Sequence, residues 1–203
     1  MTFDTSIESV LFRSDLEPYG LTYVDWIVKW WQWILSIPKE KNPALDKLGN
    51  NASVGQNDSN VWFLSGTFGG SVFRKCKIPS GKAIFMPIIN YECSFADEPC
   101  IKTGEELKLK CNSEIDDIKN LSFGIDQLHL NVLTPYRACS RLFDVYPVEN
   151  NILDIQHKHT MMISDGYWIF LKPLRIGQHI LTSSGSCQSG KIMIGATYEL
   201  TVV

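Results

Sequence analysis

Nowhere in this chain does an apolar run approach the roughly 18 residues that a helix needs to cross a bilayer, so the sequence offers no membrane span. The opening stretch MTFDTSIESVLFRSDLEPYG mixes acids with apolar residues. It lacks both the basic start and the unbroken apolar core of a secretory signal, which makes cytoplasmic residence the default expectation. The six cysteines (Cys76, Cys93, Cys100, Cys111, Cys139 and Cys187) form no C-x-x-C pair, which argues against a zinc ribbon or a thioredoxin-like site. An excess of positive charge is missing too. Against 22 Asp and Glu there are 19 scattered Lys and Arg, a formal net charge of −3, so nucleic acid is not an expected partner. Repeats, low-complexity tracts and interdomain linkers are also lacking. At 203 residues the reading is one domain over 19–203, with 1–18 as an N-terminal extension.

What is present suffices for a sizeable core: 44% of the residues are hydrophobic and 20% charged. Thr22-Tyr23-Val24-Asp25 reads as a capping box that opens a helix over 23–36, stopped before Pro38. Trp26, Trp30 and Trp33 share one face of it, and Ile27, Trp31, Ile34 and Leu35 the adjacent one, leaving little more than Asp25, Lys29 and Gln32 for water. A helix so apolar around its circumference is expected to be buried on several sides, its tryptophans packing rather than forming an exposed platform. A long surface loop follows over 38–60.

Most of the remainder reads as strand and turn. Strands are expected over 61–65, 71–78 and 82–90, the last two joined by Pro79-Ser80-Gly81. Pro87 demands a bulge or an edge in the third. A second capping box at Thr103 starts an amphipathic surface helix ending near Asn120, with Leu107, Cys111, Ile115 and Ile118 on its apolar face. Further strands are expected over 121–125, 128–132, 141–146 and 157–163. The stretches 167–172, 178–184 and 191–203 look like a closing antiparallel meander. The fold class is mainly β: an antiparallel β-sandwich, jelly-roll-like, with a Trp-rich N-terminal helix and one further surface helix.

Several groups invite a chemical reading. His157 and His159 point the same way if they lie on a strand, but no acid at a familiar spacing accompanies them, and no metal is assigned. The loop Ser65–Gly70 lacks the Gly-Lys-Ser/Thr ending of a phosphate loop and reads as a turn. His179 is expected to cap the turn before it. Gln32, set among tryptophans, brings an amide that needs a hydrogen-bond partner and is expected to pin the helix to a strand or meet a ligand.

Asn90 and Glu92 are the most suggestive pair. They follow a long apolar strand, alternate to one side, and bring an amide and a carboxylate to an apolar neighbourhood, where a carboxyl group holds its proton more tightly. Asp165 and Tyr167, opening a later strand, are their candidate partners. The leading function is a non-catalytic binding module for a small molecule, a carbohydrate or a protein, with Asn90, Glu92, Tyr167 and Gln32 as its ligand-binding residues and no cofactor. The alternative is a hydrolase, of glycosidase type, using Glu92 with Asp165.

The stretches GLTYVDWIVKWWQWILSIP, VWFLSGTFGGSVFRKCKIPSGKAIFMPIINYECS and DGYWIFLKPLRIGQHI resemble a family of uncharacterised prokaryotic proteins, many of them exported. The likeness runs from about Tyr19 to Val203 and implies a domain boundary, but no activity, substrate or cofactor. Exported proteins of that kind carry a cysteine in the segment written here NNASVGQ, where this chain has Ala52. The resemblance therefore implies that Cys76 is a free thiol here, and that Cys93 and Cys111 lie near each other.

Overall fold

The computed structural model describes residues 6–187 and 193–203. Within the stretch read as an extension, Ile7 and Leu11 are buried in the main core. Leu11 bridges Leu171, and the Phe12 N–H donates to the Phe170 carbonyl at 2.8 Å.

Helix α1 (Tyr23–Leu35) forms where its capping box places it. Thr22 Oγ1 accepts from the Asp25 N–H at 3.2 Å, and the Asp25 carboxylate accepts from the Thr22 N–H at 3.1 Å. Trp26, Trp30 and Trp33 are buried as expected. Their indole N–H groups donate to the carbonyls of Pro18, Leu64 and Val54 at 3.0, 2.9 and 3.1 Å, so each ring also anchors a loop. Gln32, on the side of the helix left for water, is exposed, and its side-chain amide donates to the Asp144 carbonyl at 3.3 Å, tying the helix to that segment.

Strands β1 (Val61–Phe63), β2 (Gly70–Ile78) and β3 (Ala83–Ser94) precede helix α2 (Gly104–Asp116). Then come β4 (Ile118–Ile125), β5 (Leu128–Leu130), β6 (Arg137–Cys139), β7 (Phe143–Val145), β8 (Thr160–Leu171), β9 (Gly177–Cys187) and β10 (Met193–Val202). One sheet runs β1-β3-β8-β6, with β7 also on β8; the other runs β2-β10-β9-β4-β5. Their inner faces share one apolar cluster, in which Trp62, Ile84, Met86 and Ile169 meet Ile78, Phe123, Leu181 and Leu200. α1 covers the opposite face of the first sheet through Phe85, Trp168 and Phe170.

The purely antiparallel, jelly-roll-like expectation is corrected, because each sheet contains a parallel pair: β1 with β3, and β2 with β10. Parallel neighbours need a crossover between them. For β1 and β3 that crossover is β2, which lies in the other sheet, so Pro79-Ser80-Gly81 links two sheets rather than closing a hairpin. The closing stretch is likewise divided: β8 belongs to the first sheet, and only β9 and β10 pair with each other. The expected start of the last strand at Lys191 lies outside the described residues. Ile118 opens β4 instead of ending the second helix.

The two strands expected over 157–163 and 167–172 are one continuous β8, and Gly166 explains why. A Cβ at this position would lie 2.6 Å from the Ile89 carbonyl oxygen and 2.7 Å from Asn90 Cα. The glycine is there for close approach of β3, not for a turn.

Candidate ligand-binding site

Strand β3 changes face part-way along. Ile84, Met86 and Ile88 point between the sheets, while Ala83 and Phe85 point towards α1. A bulge then shifts the register between Pro87, opposite Trp168, and Ile89, opposite Tyr167. Pro87 has no N–H to give to the ladder, which is where a bulge is tolerated. Beyond it the odd residues face inward: Ile89 packs with Ile115 and Ile118, and its Cβ would be 3.5 Å from one built on Gly185 of β9. Asn90 and Glu92 thereby move to the α1 side. Without the extra residue they would continue the inward row of Ile84, Met86 and Ile88.

At this point β3 has also lost its neighbour. β1 pairs only as far as Phe63 opposite Phe85, and among the described residues no strand replaces it along the rest of that edge. A cavity of about 370 Å³ opens there. Trp30 and Trp31 of α1 line one side and Ile115, Ile118 and Ile194 the other; Asn90 and Glu92 lie between, and Phe68 stands at the rim. The lining is mostly apolar, and the volume falls within the usual range of ligand sites.

Three polar atoms on this lining are buried without a hydrogen-bond partner: Trp31 Nε1, Asn90 Nδ2 and Glu92 Oε2. Trp31 differs in this from Trp26, Trp30 and Trp33. Burial, with Asp97, the Cys93 sulfur and Glu98 nearby, pushes Glu92 up to about 8, so at pH 7 it is a neutral acid able to donate as well as accept. Glu114, the other lining carboxylate, is engaged by Lys110 at 2.6 Å.

The other sequence candidates lie elsewhere. Asp165 is opposite Tyr91 and so faces away from Glu92. It is 1% exposed and held by the Arg137 guanidinium at 2.6 Å. Tyr167 packs inward beside Ile89, and Gln32 borders a separate depression with Lys29, Ser36 and Asn57. His157 and His159 precede β8 instead of lying on a strand, and His159 Nε2 is 2.7 Å from Asp144. His179 does tie down its turn, contacting the Arg175 carbonyl at 2.8 Å and Asp126 at 2.9 Å. Among the described residues no group of His, Cys, Asp and Glu has the arrangement of a metal site, and no helix is long and apolar enough to cross a membrane. Cys76 is a buried free thiol in the same cluster as Ala52. Cys93 and Cys111, also free, share a buried cluster with Leu107 and Ile163 beneath α2.

Of the residues that line the cavity, Asn90 and Glu92 stand out in the sequence as site candidates, whereas Trp31, Ile115 and Ile194 do not. Helical periodicity separates the faces of α1, but it carries no signal for which face borders a void.

No protein-family model matches the chain, and no curated protein matches it significantly. Among solved structures, that of PbICP-C in complex with falcipain-2 is similar at 12% identity, covering 73% of this chain and 95% of that one, with a TM-score of 0.25. A likeness of that size establishes neither fold nor activity.

Proposed function

We propose that this chain is a non-catalytic binding module whose ligand enters the cavity beside β3. The observation that carries the reading is the convergence of three unpartnered buried polar atoms, on Trp31, Asn90 and Glu92, on one mostly apolar cavity. Each such group costs about 1–3 kcal/mol when left unmade, and a ligand that supplies the missing bonds recovers this. The two donors and the neutral acid ask for carbonyl or hydroxyl oxygens on an otherwise apolar ligand. A carbohydrate stacked on an indole platform fits poorly, because every tryptophan of α1 is packed against other rings or buried. The glycosidase pairing fits less well still, with Glu92 and Asp165 on opposite faces of the sheet.

The test is a titration of ¹⁵N-labelled protein with small aliphatic carboxamides. The Trp31 indole N–H resonance should move as it gains an acceptor, while those of Trp26 and Trp33, which lie outside the cavity, stay in place. Indole resonances that all remain still across the series would remove the reading.

A further inference from the structure

We propose that the occupant of this cavity is an extended polypeptide segment that adds a strand to the open edge of β3 and places an aliphatic side chain between Trp31 and Ile115. The inference rests on the binding-module reading and goes further, because it names the partner's chemistry from the direction of the β3 main chain.

That direction is fixed by Ser164 on β8. Its N–H donates to the Ser140 hydroxyl at 2.9 Å, and its carbonyl accepts from the Ser140 N–H at 2.7 Å. Both groups therefore point away from β3. In an antiparallel ladder, facing residues exchange both bonds or neither. Glu92, opposite Ser164, must then turn its own N–H and C=O away from β8, towards the unpaired edge. Asn90, two residues earlier, does the same. At the far end Phe95 donates to the Met161 carbonyl at 3.1 Å, as this alternation requires of an odd residue.

The open edge thus presents two residues' worth of main-chain donors and acceptors in strand geometry, directly beside an apolar cavity. This is the arrangement by which a sheet edge captures a peptide: main-chain bonds hold it, and a pocket reads alternate side chains. A small apolar ligand could fill the cavity but would leave the Asn90 and Glu92 main chain unused. A peptide satisfies both, and its carbonyls also suit the unpartnered Trp31 and Asn90 donors. Pro87 and the bulge stop pairing upstream, so the added strand is confined to the stretch beside Asn90 and Glu92. The downstream rim is acidic, with Asp97 exposed and Glu98 partly so, which favours a lysine or arginine flanking the aliphatic residue.

The probe is the synthetic peptide acetyl-Lys-Val-Leu-Val-Lys-amide, together with five versions carrying a single main-chain N-methyl group at each position in turn. Binding to the full chain is measured by calorimetry and by the Trp31 indole resonance. Strand addition predicts that methylation at alternate positions weakens binding about tenfold, the loss of roughly one hydrogen bond, while the positions between leave it nearly unchanged. Glutamate in place of both lysines should weaken it as well. A peptide that binds regardless of N-methylation would overturn strand addition and leave the cavity reading standing. A peptide that does not bind, while N-methylisovaleramide still moves the Trp31 resonance, would overturn the peptide alone. Silence from both probes would remove the peptide inference and the binding module together.

Discussion

Arg74 and Glu92 are both ionisable residues drawn out of water by the same fold, and the fold provides for them in opposite ways. Arg74 is 1% exposed, and each of its three guanidinium nitrogens is hydrogen-bonded. Its guanidinium donates to the carbonyls of Asp46 at 2.6 Å, Ala44 at 3.0 Å, Ser65 at 3.0 Å and Gly66 at 2.8 Å, and to the Tyr198 hydroxyl at 2.7 Å. A planar cation with five N–H groups here gathers two loops onto β2, and its charge is dispersed over carbonyl dipoles instead of meeting a carboxylate. Glu92 has a carboxyl oxygen buried with no partner and acid groups for neighbours. Buried polar groups in structural networks are hydrogen-bonded. The difference teaches where this molecule is finished and where it is incomplete: the Arg74 centre closes on itself, whereas the Glu92 cavity leaves bonds for something else to make.

The largest expected effect comes from breaking the finished side. Arg74→Met keeps an unbranched apolar stem and removes every donor, leaving the Asp46, Ala44 and Gly66 carbonyls without their partner, while the Tyr198 hydroxyl still donates to the Ser65 carbonyl at 2.7 Å. Unsatisfied buried groups cost about 1–3 kcal/mol each, so chemical denaturation should show a loss of at least about 3 kcal/mol. A variant within about 1 kcal/mol of wild type would mean that water replaces the guanidinium and that the centre is not the clamp described.

A paired substitution on α1 sharpens the contrast. Trp30→Phe deprives the Leu64 carbonyl of its donor, whereas Trp31→Phe removes an N–H that has no partner. Trp30→Phe should therefore be the more destabilising of the two by about 1–2 kcal/mol in denaturant. Trp31→Phe should instead weaken binding at the cavity. Equal losses of stability would mean that ring volume, not hydrogen bonding, distinguishes the two positions.

The next effect is a pH dependence. Glu92 titrates near 8 in the folded chain against an ordinary 4.5, so the folded state keeps a proton that the unfolded state gives up between those values. The contribution of Glu92 to stability is therefore whole below about pH 4.5 and declines as pH rises towards 8. Glu92→Gln keeps the shape without the titration. It should flatten that part of the melting-temperature profile and melt higher than wild type at pH 8. Parallel profiles for the two proteins would show that Glu92 is solvated and the cavity wet.

The smallest effect is a rate. Burial pushes the Cys76 thiol up to about 12, two residues from Arg74 on β2. Alkylation of native protein should label exposed Cys100 and spare Cys76 until the chain unfolds, and Arg74→Met should shorten that delay. Recovery of Cys76 in a disulfide would contradict its being a free thiol.

Much of this was legible in the sequence because it is local. The capping boxes at Thr22 and Thr103 depend on residues three apart, and the apolar girth of α1 on neighbours within two turns, so both helix starts and the burial of Trp26, Trp30 and Trp33 follow from spacing. Pro87 likewise announces an interruption in β3 from its missing N–H. Asn90 and Glu92 stand out as polar residues after an apolar run. What the chain cannot state locally is which strands become neighbours, because pairing joins residues far apart and one extra residue reverses every facing side chain. Only the tertiary structure decided that β3 lies parallel to β1, that Gly166 passes against Asn90, and that the bulge carries Asn90 and Glu92 to the α1 side while Asp165 stays on the other. The same pairing ends β1 at Phe63 and so leaves the edge of β3 open beside Trp31, because hydrogen-bond partners in a sheet are assigned by the assembled fold and not by any one strand.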